Sequence, residues 1–121
     1  MENKISINEK GIIEVNMTED QDEAAVIETT RLFVELSKQL KAENKPVLLL
    51  VDLSKITNIF STNLRKTGFG LLKDLEFDKA AMSSQTALVR YLIDLFNNNI
   101  MKQANLKVFE SRESAEEWLV S

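Results

Sequence analysis

Histidine and cysteine are both absent from the 121 residues, so the groups available for chemistry are hydroxyls, carboxylates, lysines and arginines. That absence excludes disulfides, thiolate nucleophiles, zinc sites of the usual ligand sets and any Ser-His-Asp triad. The polar groups most worth following are Ser61, Thr62, Asn63, Arg65 and Lys66, which come after the apolar run Val47–Val51 and the carboxylate of Asp52. Ser61 stands immediately before a stretch of helical periodicity, where a serine hydroxyl caps the helix by accepting a backbone N–H bond. Arg65 and Lys66 then fall in the first helical turn, where positive charge opposes the helix dipole by about 0.3–1 kcal/mol at exposed sites. Two arrangements would compensate: an anion held by Ser61, Thr62, Asn63 and Arg65, or a salt bridge, for which Asp52 is the candidate. Asp52 has no second carboxylate, histidine or metal ligand beside it in sequence, so no catalytic residue, metal site or cofactor is assigned.

A second polar group, Ser83, Ser84, Gln85 and Thr86, falls where a strand is expected to hand over to a helix. If the strands are parallel, it lies near the same sheet edge as Ser54 and Ser61, and ligands of open α/β sheets bind beyond the carboxyl ends of strands. Helix capping explains the same residues without a ligand. Gly11, Gly68 and Gly70 are the only glycines, so there is no GxGxxG or Walker A loop to cradle a nucleotide. With 15 basic and 19 acidic residues the formal charge is -4, the wrong sign for binding nucleic acid or anionic lipid. The longest unbroken apolar run is far short of the ~20 residues needed to span a bilayer. The N-terminus lacks the apolar core of a signal peptide, and the expected location is the cytoplasm.

The elements that must position these groups follow from periodicity. Ile5 and Ile7, then Ile13 and Val15, alternate with polar residues on either side of an Asn-Glu-Lys-Gly turn, which predicts an opening hairpin. Ile27, Phe33, Val34, Leu36 and Leu40 follow helical spacing over about 21–43, after acidic residues suited to a helix N-terminus. Val47–Val51 is apolar throughout, which predicts a central strand covered on both faces. A second helix is expected over 61–75, a strand at 79–83, a third helix over 84–98, a strand at 106–109 and a final helix capped by Ser111 that buries Ala115, Trp118 and Leu119. The order β-β-α-β-α-β-α-β-α implies an α/β fold with a mixed sheet of about five strands and about four helices, because parallel neighbours need crossover helices. A chain of this length fits a single domain over residues 1–121.

With the elements placed, the chain resembles the STAS superfamily, and in particular its SpoIIAA-like branch. The strand VLLLVDLSKIT followed by a helix opening at FSTNL is similar to the segment in which that family's strand ends LDLS and a DSSGL or DSTGL turn begins the next helix. LKVFESRESAEEWL similarly resembles the family's last strand and helix, KVF followed by an acidic stretch and AxxWL. The resemblance implies a STAS-like domain that is not an enzyme and acts by binding protein, as anti-sigma factor antagonists do. Its implied partners are an anti-sigma-like kinase or a second copy of the chain as a homodimer. In the antagonists the first serine of the turn is the phosphoacceptor, and it falls on Ser61. The aspartate before it is replaced by Phe60, and the glycine two residues after it by Asn63. A fold relation to CRAL-TRIO lipid carriers makes the alternative a small-ligand or lipid-binding domain with an apolar pocket beneath the second and third helices.

Two further features bear on partners. Gly68 and Gly70 inside the second helix cost about 1 kcal/mol each relative to alanine, which close backbone approach or a partner surface would explain. The third helix is almost wholly apolar over Ala87–Phe96, wider than the stripe of roughly 100° that one sheet face covers. Val89, Ile93 or Phe96 is therefore expected to be buried by a second copy or an apolar ligand, unless a neighbouring helix covers it.

Overall fold

The computed structural model describes residues 3–19, 21–56, 67, 70, 71, 74–98 and 105–121. Five strands lie within them: β1 (Lys4–Ile7), β2 (Ile13–Asn16), β3 (Leu48–Asp52), β4 (Lys79–Ser83) and β5 (Leu106–Phe109). The described helices are α1 (Glu23–Ala42), α2 (Ala87–Phe96) and α3 (Arg112–Leu119). The strands form one sheet in the order β1-β2-β3-β4-β5, with β1 antiparallel to β2 and the remaining pairings parallel. The expected mixed sheet is present, with three helices among the described residues rather than four. Most of the helix expected over 61–75 lies outside those residues; Thr67, Gly70, Leu71 and Asp74 are described and helical.

The hairpin closes as its turn residues require. The Asn8 side-chain oxygen accepts the N–H groups of Lys10 and Ile12 at 2.9 and 3.1 Å, and Gly11 takes a left-handed φ of 79° that a side chain would resist. Asp22 caps α1 by accepting the Ala25 N–H at 2.7 Å. The helix ends where Asn44 adopts φ 59° and the Lys45 N–H returns to the Leu40 carbonyl, just before Pro46. Phe33, Ser37 and Leu40 form the buried stripe of α1, whereas Ile27 and Val34, counted inward by spacing, are exposed. A helix lying on one sheet face has room for one such stripe, and these two residues fall beside it.

β3 occupies the middle of the sheet, and its side chains alternate between two core layers. Val47 and Leu49 join Ile13, Val15, Phe33, Leu40, Ala80 and Met82 on one face. Leu48 and Leu50 join Ile12, Ala81, Ala115 and Leu119 on the other. Four parallel strands wound in one direction, with crossovers of a constant hand, put their connecting helices on the same face. Residues of α1 and α2 accordingly share the first layer, and Leu75 and Phe77 of the β3–β4 connection also pack there. Among the described residues the opposite face is left to α3, which meets β3, β4 and β5. Its Ala115 is fully buried in the same layer as Ala81, small residues that let helix and sheet approach closely. Trp118 packs against that layer with Lys79 and Lys107 over its ring, 5.1 and 5.3 Å from the centroid.

Two expectations need correction. Ile93 of α2 is 4% exposed within the first core layer and Val89 packs against that layer, so the sheet side of the domain buries these two and they need no external partner, while the Phe96 side chain lies outside those described. The surplus apolar face is the opposite one, because a helix apolar nearly all round can seat either side. At Gly70 there is open space where a Cβ would sit, so close backbone approach does not account for that glycine; Gly68 lies outside the described residues.

These layers predict that Leu50→Ala, at a fully buried position, lowers unfolding free energy by about 2–5 kcal/mol in urea titration. Against a total of about 5–15 kcal/mol, Ile93→Glu should abolish cooperative unfolding altogether, because it buries a carboxylate without a partner. A wild-type melting curve for Ile93→Glu would show that α2 does not seat this face on the sheet.

Candidate functional site

The parallel register sets Asn16, Asp52, Ser83 and Phe109 side by side across the carboxyl ends of β2 to β5. Asp52 and Ser83 stand two residues beyond Leu50 and Ala81, so strand alternation directs them to the face covered by α3. The chain just past each strand completes a polar cleft of about 190 Å³. β3 contributes Asp52 and Ser54, β4 contributes Ser83, Ser84 and Gln85, and the segment after β5 contributes Glu110, Ser111, Arg112 and Glu113.

Each wall has a local cause. The Asp52 carboxylate accepts the Ser54 N–H at 2.9 Å, which bends the chain away from the sheet. The Ser84 hydroxyl accepts the Thr86 N–H at 3.1 Å, and Arg90 of α2 donates to the Ser84 carbonyl at 2.7 Å, holding the turn that leads into α2. Ser111 accepts the Ser114 N–H at 3.2 Å, the cap expected for the last helix. Ser83 is different: its hydroxyl is buried, the residue being 3% exposed, and it has no hydrogen-bond partner. Leaving such a group unsatisfied costs about 1–3 kcal/mol.

The electrostatics of the cleft are organised by Arg112, the first residue of α3, where a positive charge opposes the helix dipole. Three carboxylates compensate. The guanidinium donates to Glu14 on β2, donates through Nε to Glu116 one turn along α3 at 3.1 Å, and stands 3.8 Å from Asp52. Glu14 also accepts from Asn8 and Asn16, at 3.3 and 3.1 Å. Glu116 further accepts from Lys10 at 2.9 Å, and the Lys10 ammonium, followed by Arg112, holds its carboxyl below the ordinary carboxylate range against the opposing effect of burial. The hairpin, the end of β3 and the start of α3 are thereby tied together.

Ser54, Ser83, Ser84 and Gln85 converge as the parallel-strand argument expects, and Thr86 caps α2 without a side-chain bond. Ser61, Thr62, Asn63 and Arg65 lie outside the described residues, and with them the anion site and the phosphoacceptor position. Among the described residues, Asp52 has Arg112 as its cationic neighbour. Sequence reasoning passed over Glu110, Arg112 and Glu113, although an arginine in the first turn of a serine-capped helix is the kind of unfavourable placement it examined at Arg65. Among the described residues no group of three or more His, Cys, Asp or Glu side chains is placed to hold a metal ion. No described helix is long and apolar enough to cross a membrane.

Comparison with known proteins adds two findings. The family model described as SpoIIAA-like matches residues 12–120. A crystal structure of an uncharacterized protein of the DUF3478 family from Shewanella loihica PV-4, with a SpoIIAA-like fold, superposes with a TM-score of 0.64 at 19% identity, covering 97% of this chain and 91% of that one. At that identity the likeness is one of fold. No curated protein matches the chain.

The charge network predicts a pH-dependent contribution to stability. Because Glu116 is depressed in the folded state, its contribution is present above the ordinary carboxylate value of 4.5 and is lost as pH falls through the folded value. Glu116→Gln should therefore melt below wild type at about pH 7, and the gap should narrow as the pH is lowered below 4.5. An equal gap on both sides of that value would mean that Glu116 stabilises by packing alone.

Proposed function

The chain belongs to the SpoIIAA-like family, and from that premise we propose that it works as a non-enzymatic regulatory domain of the STAS kind, binding a protein partner in the cytoplasm. The observation that carries this reading is the outer face of α2. Leu88, Tyr91 and Leu95, spaced three and four residues apart, are 49%, 60% and 44% exposed. The same helix turns Ile93 and Val89 into the core, so it has one apolar face for its own sheet and another turned to solvent. Contiguous exposed apolar side chains mark interaction surfaces, and tyrosine is enriched in them.

The family's likeness to anti-sigma factor antagonists supports a protein as the occupant, and an anti-sigma-like kinase or a second copy of the chain are the partners it suggests. The alternative, an apolar pocket for a small ligand or lipid, is less well supported. Leu88 and Tyr91 face solvent, and the described cleft is lined by serines, carboxylates, a glutamine and an arginine. The lack of histidine and cysteine, with Arg112 engaged by carboxylates, supports a role without catalysis.

Leu88→Glu combined with Tyr91→Glu tests the reading. Surface changes of this type should shift unfolding free energy by no more than about 1 kcal/mol. The double variant should keep the wild-type melting curve and lose the proteins that wild type captures from its native cells, as read by quantitative mass spectrometry. Undiminished capture by a folded double variant would count against this surface. The related phosphoswitch at Ser61 predicts a phosphopeptide spanning that residue after incubation with the cognate kinase; an active kinase that leaves it unmodified would remove the switch.

A further inference from the structure

We propose that the outer face of α2 pairs with the same face of a second copy of the chain, the two helices lying antiparallel about a two-fold axis between Tyr91 and Leu92. This rests on the reading that the face binds protein, and it names the partner. The first observation is the spacing of the exposed apolar side chains. Leu88, Tyr91 and Leu95 are 49%, 60% and 44% exposed, and Leu88 and Leu95 stand two turns apart, at equal distances from the midpoint of Tyr91 and Leu92. An antiparallel two-fold pairing about that midpoint sets each Leu88 level with Leu95 of the other copy and each Tyr91 level with its Leu92. Apolar side chains then meet at every level of the seam.

The second is charge. Asp94 is exposed in the last turn of α2, where a carboxylate opposes the dipole of its own helix, and the first turn contains no acidic residue. Thr86, the N-cap, makes no side-chain cap bond. Arg90 donates through Nη1 to the Ser84 carbonyl at 2.7 Å, which draws its guanidinium towards that same N-terminal end. The positive end of the helix is thus strengthened and its negative end carries an acid. Antiparallel pairing brings each Asp94 beside the first turn of the other copy, with Arg90 on the same flank, and supplies the acid that end lacks. A parallel pairing would instead place arginine by arginine and aspartate by aspartate.

The two patterns share a centre. Arg90 and Asp94 are symmetric about Leu92, and the leucines about a point half a residue away, a difference of about 0.75 Å along the axis. A partner of unrelated sequence would not require apolar and charged positions to have a common midpoint, whereas a second copy does. Area sets the strength. With 10 residues, α2 is about 15 Å long, so the pair covers well under the roughly 800 Å² that each partner buries in a standard stable interface. The dimer is therefore of the transient kind, with a dissociation constant above about 1 µM.

Sedimentation equilibrium of the purified full chain from about 10 µM to about 1 mM, which brackets transient affinities, should show a 13.8 kDa monomer passing into a dimer. Leu88→Glu combined with Tyr91→Glu should stay monomeric throughout. Asp94→Arg should weaken the dimer at least about fivefold at low salt, since two symmetric contacts change sign, while its own helix gains a cation suited to the last turn. Register is read by cross-linking, because the chain has no cysteine of its own. Leu88→Cys and Leu95→Cys, mixed and treated with oxidised glutathione, should form a disulfide dimer containing one of each. Either alone should cross-link far less, since its symmetry mate lies about 10 Å away along the axis, beyond disulfide reach. A monomer at about 1 mM, a dimer indifferent to Asp94→Arg, or equal cross-linking of single and mixed variants would each overturn the proposal; the wild-type run decides even if a variant fails to fold. A wild-type monomer whose Leu88→Glu, Tyr91→Glu variant still loses captured cellular proteins would overturn the second copy and leave the protein-binding reading standing, whereas a monomer with undiminished capture would remove both.

Discussion

When parallel strands follow one another across a sheet in a single direction, a constant crossover hand commits their connecting helices to one face, and the other face must be covered by whatever follows the last strand. In this chain that duty falls on α3, eight residues long, which reaches β3, β4 and β5. The uneven division explains the composition of the second face. Ile12, Leu48, Leu50 and Ala81 are apolar where α3 lies, while Lys4 and Ser6 on β1 are exposed and Glu14 and Asn16 on β2 are hydrogen-bonded to each other. Even Lys79 and Lys107, on strands that α3 does cover, are absorbed by laying their ammonium groups over Trp118.

A short helix that has no other described helix beside it on a sheet face needs more than one stripe of contacts to hold its direction. Ala115 and Leu119 supply the apolar seat, and Arg112 supplies the anchor at the other end. The anchor works because the cost of a cation at a helix N-terminus is offset by Glu14, Glu116 and the nearby Asp52, each on a different part of the fold or a turn away. The same arrangement creates the cleft. Bringing the start of α3 to the strand ends gathers Asp52, Ser83 and Glu113 around a small space, with the arginine's bonding capacity directed to its rim.

The two surfaces with functional promise therefore have separate origins. The outer face of α2 is a consequence of a helix with more apolar residues than one sheet can cover, and it sits on the crossover side. The cleft is a consequence of strand register and of α3 docking on the opposite side. A partner bound along Leu88 and Tyr91 would leave the cleft beside Asp52 uncovered, because α2 approaches the cleft through the turn before it, held by Ser84 and Arg90.

Much of this was legible in the residues. Val47–Val51 reads as a two-sided strand because both of its alternating sets are apolar, Gly11 marks the hairpin turn, and Ser111 marks the start of the last helix; each is a local preference that the fold simply honours. The convergence of Ser54, Ser83 and Ser84 was also accessible, since parallel pairing brings strand ends together. What only tertiary structure decided were matters of choice between equals and of distant pairing. α2 is apolar on nearly every side, so its periodicity cannot say which face docks, and packing against the first core layer selected Ile93 over Tyr91. Arg112 and Glu14 are far apart in sequence and meet only because α3 folds back onto the sheet, and Ser83 lacks a partner only because of what surrounds it. Local propensity is written in neighbouring residues, whereas face selection, ion pairing and unsatisfied polarity depend on which surfaces the chain brings together.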